Sequence, residues 1–246
     1  MCTVTYVPIF KNTFSGNFVL TSSRDEKVIR ELAQAPVFQY YNGNELCFPK
    51  DPKGKGSWLA CDKKGTVLCL LNGAFEPHVP LPKYRQSRGL VVMDYFTYSN
   101  TQSFLENYNF SEIEPFTLII IKDLSLEEVI WDGVKAHFRK LKAYMPYIWS
   151  SATLYDEESK TKRQNWFESS INNLNGKLFE WNALDFHLNA GDENIENNIR
   201  MNRDGQLQTV SISSIRHVDF ETNFTYLDLV NDSEYQLKFS VGELVQ

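Results

Sequence analysis

A chain of 246 residues, 42% hydrophobic and 23% charged, can bury a full core as one large domain or two small ones. Its net charge is −6, and its lysines and arginines are scattered rather than gathered into a stripe, so nothing points to nucleic acid. The longest plain apolar run, FTLIII, falls well short of the ~18 residues of a membrane span. The opening MCTVTYVPIFKNTF lacks the basic start and long apolar region of a secretory leader. A cytoplasmic protein without a membrane span is therefore expected. Cys2, Cys47, Cys61 and Cys69 have no C-x-x-C spacing, which fits a reducing compartment and no disulfide framework.

In chain order, TVTYVPIF alternates as a strand does, and GNFVLTSS follows a turn signal at Ser15-Gly16. RDEKVIRELAQAP reads as a short helix or ordered loop closed by Pro36. SWLACDKKGTVLCLLNG is a hairpin whose turn is Lys63-Lys64-Gly65. From Tyr84 to Asn107, Leu90, Met93 and Phe96 at helical spacing predict one or two helices. FTLIIIKD and EEVIWDG are strands parted at Asp123-Leu124-Ser125. VKAHFRKLKA and YIWSSATLY are taken as strands, although the first also fits a helix. Glu157–Leu174 is the clearest helix, with Trp166, Ser170 and Leu174 on one side and the charge run DEESKTKRQ as a solvated face. GDENIENNIRMNRDGQ is a polar loop, and the remainder gives three strands with a hairpin at Asn231-Asp232. One α+β domain spanning residues 1–246 is expected, with strands gathered at both ends and helices in the middle.

Several chemistries find no support. The histidines at 78, 137, 187 and 217 stand singly, with no H-E-x-x-H or paired Cys/His spacing, so no metal and no cofactor is expected. PKGKGS at 52–57 lacks the spacing of a phosphate loop, and a basic hairpin approach is the better reading. There is no G-x-S-x-G elbow. Phe38, Tyr40, Tyr41 and Trp58 could line an apolar cleft, but core packing is the default for each.

Cys2 carries the one specific chemical expectation. Removal of Met1 before so small a side chain would leave a residue bearing both a thiol and a free α-amine. A thiol at its reference pKa of ~8.5 is only a few per cent thiolate at neutral pH. An amine with a pKa near ~8 can take the thiol proton directly or through a water. Such chemistry also needs a cation for the thiolate, a carboxylate for the amine and donors for an oxyanion. If Thr3–Phe10 pairs with Asn17–Ser22 as a hairpin, Arg24 and Asp25 arrive at the same end as Cys2.

The ordered set MCT, SSRDE, GKGSWLACDKKGTVLCLLNG and RQSRGLVV resembles the NRDE family, whose eukaryotic members are called transport and Golgi organisation protein two. The name-giving Asn is replaced by Ser23. The family looks like a branch of the cysteine-type N-terminal nucleophile (Ntn) hydrolases, which include penicillin V acylase and bile salt hydrolase. The resemblance implies a four-layer αββα sandwich of two mainly antiparallel sheets. It also implies Cys2 as nucleophile, Arg24 beside the thiolate, Asp25 at the amine and Asn72 at the oxyanion hole.

Two positions depart from the pattern. Ser151 stands where relatives have Asn, and Ile212 where they carry Arg, with Arg216 four residues on along the same strand face. The resemblance thus implies hydrolysis of a linear amide or other acyl substrate, weakened by the missing groups. The rival is a non-catalytic binding or trafficking protein, haem- or lipid-related, that keeps the fold and takes an apolar ligand. His78 is the isolated candidate for haem, and a plain loop histidine is the bland alternative.

Overall fold

The structure, a computed structural model, describes residues 3–10 and 16–242. It divides into two compact units, one running to Arg30 and resuming at Lys142, the other spanning Glu31–Leu141. The first strands are β1 (Thr3–Pro8) and β2 (Phe18–Lys27). They pair antiparallel from Thr3↔Ser23 to Pro8↔Phe18, the expected hairpin.

β2 runs further than its sequence suggests. Arg24, Asp25, Glu26 and Lys27 are strand rather than helix or loop, and no helix forms between Arg24 and Pro36. The reason is tertiary. A later strand pairs Leu207↔Lys27, Gln208↔Glu26 and Thr209↔Asp25, and this ladder outweighs the weak local preference of a charged stretch.

The second unit is a meander of β3 (Gln34–Tyr41), β4 (Asn44–Lys50), β5 (Leu59–Asp62), β6 (Val67–Asn72), β7 (Phe116–Lys122), β8 (Ser125–Trp131) and β9 (Ala136–Leu141). Asp123 and Leu124 both have positive φ, as a two-residue hairpin turn matching strand twist requires. Helices α1 (Arg88–Tyr95) and α2 (Thr101–Asn107) interrupt the meander and are capped by Ser87 and Asn100. Val91, Val92 and Tyr95 of α1 and Phe104 of α2 join Leu46, Leu70 and Leu118 in the core. The aromatic richness is spent here: Phe104 lies 4.8 Å from Tyr108 and 5.3 Å from Phe110, ring centre to ring centre. Trp58 is buried, but Tyr40 is 78% exposed, so core packing fails for it as a rule. Tyr40 alternates out of the half-covered edge strand β3.

PKGKGS is a turn, as its glycines predict. Asp51 Oδ1 accepts from the amides of Lys53 and Gly54, and the one hydroxyl proton of Ser57 is shared between the carbonyls of Pro49 and Leu59. Gly56 lies directly on the backbone of Gly89, where a Cβ would come within 2.2 Å of the Gly89 carbonyl carbon. The Ser57 amide donates to Gly89 O at 3.1 Å. The two segments GKGSW and RQSRG thus meet backbone to backbone.

The first unit continues with β10 (Tyr147–Ser150), α3 (Glu157–Asn172), α4 (Ala183–Asn189), β11 (Asn202–Arg203), β12 (Leu207–Val218), β13 (Glu221–Asp228) and β14 (Ser233–Ser240). Its sheet order is β10-β1-β2-β12-β13-β14, with β11 on β12. α4 and the 3₁₀ turn at Leu178–Glu180 are not predicted from the sequence. Seven residues make a helix too short for periodicity to register. Val7 and Val19 pack under Phe167, Trp181 and Phe186. Among the described residues, no helix is long and apolar enough to cross a membrane.

Candidate functional site

Along β1 the residues Val7, Thr5 and Thr3 alternate onto the sheet face that carries α3 and α4, so this face turns from apolar to polar toward the Thr3 end. The rungs that follow are Thr5↔Thr21↔Ser214, then Thr3↔Ser23↔Ile212, then Asp25↔Thr209. Thr21 and Ser214 share a hydrogen bond of 2.7 Å between their hydroxyls. His187 of α4 is fully buried over these rungs, with Nε2 2.8 Å from Thr5 Oγ1 and Nδ1 2.8 Å from Ser23 Oγ. Desolvation, aided by the nearby charge of Arg163, pushes the His187 pKa down to about 3, so its imidazole is neutral. Ser23 is thus occupied in binding a core histidine.

Asp25 ends the polar row. Its Oδ2 accepts from the Tyr155 hydroxyl at 2.6 Å and its Oδ1 from Thr209 Oγ1 at 2.6 Å. Thr209 Oγ1 in turn accepts from the amide of Met201 at 2.9 Å. β12 bulges between Thr209 and Ser211, which places Thr209 opposite Asp25 while Ser211 stays opposite Arg24.

Arg24 and Asp25 are both buried at this end, and as consecutive strand residues they take opposite faces. Arg24 lies on the face of Ser22 and Glu26, with Nη2 3.7 Å from Glu26 Oε2. Ser151, just past β10, is buried and its hydroxyl lies 3.0 Å from Thr153 Oγ1. Its carbonyl accepts from the amides of Leu154 and Tyr155, which fixes the turn that delivers Tyr155. Asn72 belongs to the other unit, at the end of β6 opposite Phe116. Gly73 follows it at φ 89°, its amide donating to Pro115 O. Cys2 lies outside the described residues, as does Ser15 of the predicted hairpin turn.

Ile212 is fully buried in the rung of Thr3 and Ser23. Arg216 shares its face, yet pairs with Val19 and is exposed, roughly 13 Å further along the strand at ~3.3 Å per residue. It does not replace a cation at the Thr3 end. His78 Nε2 faces Glu114 Oε1 at 3.2 Å, and Glu114 also pairs with Arg88. No cluster of His, Cys, Asp or Glu suited to a metal occurs among the described residues.

Two residues escaped the sequence reading. Tyr155 closes the strand-like run YIWSSATLY and is not singled out. Arg163 sits in the charge run taken as a solvated face, yet it is fully buried. Ser159, Arg163 and Phe167, spaced i, i+4, i+8, form the inner face of α3, whose N-terminus is capped by Asp156. The guanidinium donates to Thr3 Oγ1, to Asn198 O and, at 3.1 Å, to Asn197 O. It lies 3.5 Å from the centre of the Tyr155 ring. The only signal was an arginine four residues from both a serine and a phenylalanine.

The arrangement resembles solved structures at low sequence identity. The Caenorhabditis elegans N-acylethanolamine-hydrolyzing acid amidase ortholog aligns with a TM-score of 0.56 at 12% identity, over 87% of this chain and 92% of that one. A variant of conjugated bile acid hydrolase from Clostridium perfringens aligns at 0.56 and 8% identity, covering 98% of each chain. A second mutant of that hydrolase gives 0.54 and 9%, over 99% of this chain and 98% of that one. These likenesses show the Ntn-hydrolase fold, α+β with two antiparallel sheets. No curated protein matches the sequence. The model of the family Transport and Golgi organisation 2 matches residues 1–239, and the chain belongs to that family.

Proposed function

We propose that the chain is a cysteine-type Ntn hydrolase acting on a linear amide or related acyl compound. The observation that carries this reading is the buried Asp25 carboxylate, held by Tyr155 and Thr209 at the end of β2 where Ser23 pairs with Thr3, the covalent neighbour of Cys2. A buried carboxylate needs such partners, and one remaining donor of high value is an α-ammonium or amine. The structural neighbours, an N-acylethanolamine-hydrolyzing amidase and a conjugated bile acid hydrolase by name, support an amide-bearing substrate with an apolar acyl part.

In this mechanism the α-amine of Cys2 takes the thiol proton and Sγ attacks the carbonyl carbon. Backbone N–H groups donate to the oxyanion that forms. The amine passes its proton to the leaving nitrogen, the C–N bond breaks and a thioester remains on Cys2. Water, deprotonated by the same amine, then attacks the thioester and releases the acid. Labelling with a β-lactone or an acyl-fluorophosphonate, followed by peptide mass spectrometry, tests the reading. Adduct on Cys2, lost in Cys2→Ala, supports it; an unreactive terminus overturns it.

A second reading, a binding protein for an apolar ligand that keeps the fold without turnover, is favoured by Ile212, fully buried in the rung of Thr3 and Ser23. Under it, Cys2→Ala leaves biological function intact.

A further inference from the structure

Among the described residues Arg163 is the largest fully buried side chain, and no carboxylate pairs with it. A buried cation is costly unless something compensates it, and here the acceptors are all neutral: one hydroxyl, two backbone carbonyls and an aromatic face. Removing it would leave the Thr3 hydroxyl and the carbonyls of Asn197 and Asn198 without their donor, so the guanidinium ties the head of β1 to the segment after α4.

Its Nη1 holds Thr3, the first described residue of β1, and the ring beneath the guanidinium belongs to Tyr155, whose hydroxyl donates to Asp25. A cation over a phenol face draws electron density from the ring and makes its hydroxyl a stronger donor. Arg203 of β11 lies 5.6 Å from the same ring, anchored to Leu154 O and to Asn197 Oδ1. We infer that Arg163 is a positioning residue for the head of β1: it fixes Thr3 and supplies a permanent positive charge that favours the neutral amine and the thiolate of Cys2. The inference rests on the proposed role of Cys2.

The charged and titratable groups around this point come from several elements. Asp25 lies on β2, Tyr155 before α3, Arg203 on β11 and His187 on α4, with Arg24 and Glu26 on the opposite face of β2. His187 is neutral and adds no charge at working pH. On the helix-bearing side the half-buried Arg203 also faces the Asp156 carboxylate, so the cation seated directly on Thr3 in the buried interior is Arg163.

The experiment is the pH dependence of Cys2 alkylation by iodoacetamide, read by peptide mass spectrometry on the full chain, in wild type, Arg163→Met and Arg163→Lys. The expected result is an inflection raised by about one pH unit or more in a Met variant that is less stable but still folded at the assay temperature. The Lys variant keeps the charge but cannot span Thr3 and two carbonyls. Its inflection stays near wild type while its alkylation rate above the inflection falls several-fold. A folded Met variant with the wild-type profile overturns the inference and leaves the Cys2 reading standing. If the Met variant does not fold, a Lys variant with both wild-type inflection and wild-type rate overturns it. A wild-type Cys2 no more reactive than in the urea-unfolded chain sinks both.

Discussion

The Tyr155 hydroxyl donates to Asp25 Oδ2 at 2.6 Å, joining the segment before α3 to the last polar rung of β2. Both groups are buried, so neither can turn to water when the other is removed. Tyr155→Phe should therefore destabilise the protein by about 1–3 kcal/mol, the loss expected when a buried carboxylate is left short of a donor. Urea denaturation at pH 7 measures it. A Phe variant as stable as wild type would mean that Asp25 satisfies itself elsewhere.

His187 predicts a pH dependence. Its pKa is about 3 in the folded protein against 6.5 ordinarily, so on acidification the unfolded chain gains a proton that the folded chain refuses. A depressed folded pKa gives stability that is complete above about 6.5 and is lost as pH falls towards 3. Between pH 7 and pH 5 this one residue should remove about 2 kcal/mol. His187→Gln should flatten that part of the stability–pH curve. An unchanged slope in the variant assigns the acid sensitivity to other groups.

Gly56 should tolerate no side chain. A Cβ there would meet the backbone of Gly89 at 2.2 Å, and backbone cannot rotate away as a flexible side chain can. Gly56→Ala should lose about 1–3 kcal/mol or more, chiefly from the unit that holds α1. Hydrogen exchange of the amides of Ser57 and Leu90 should rise first, since their bonds to Gly89 and Ser87 flank the contact.

The proposed mechanism requires the α-amine of Cys2 to be free. Protein expressed untagged should have the intact mass of the chain without Met1. Full reactivity towards an activated acyl ester in protein that retains Met1 would falsify the N-terminal nucleophile mechanism.

Ser151 offers a gain-of-function test. Its hydroxyl, 3.0 Å from Thr153 Oγ1, is shorter than the amide that relatives carry there and reaches less far as an oxyanion donor. Ser151→Asn should raise hydrolysis of an activated acyl substrate by roughly tenfold or more. No change in rate, together with function surviving Cys2→Ala, would favour the binding reading.

The sequence by itself determined most of the strands, because period-two alternation and turn residues are local. TVTYVP, the Lys63-Lys64-Gly65 hairpin and the pair FTLIIIK and LEEVIW are each legible from their own residues. Ordered short segments such as SSRDE and GKGSW were also enough to indicate the family, since the motifs sit in fixed sequence order. Tertiary structure decided the rest. Residues 24–27 became strand because β12 lies beside them, a partner some 180 residues away that no local window contains. Arg163 could not be told from its solvated neighbours, because a charged residue betrays burial only through what surrounds it. Here those surroundings are Thr3, Tyr155 and the carbonyls of Asn197 and Asn198. The opposite facing of Arg24 and Asp25 follows from strand pleating alone, but only once they are known to be in a strand.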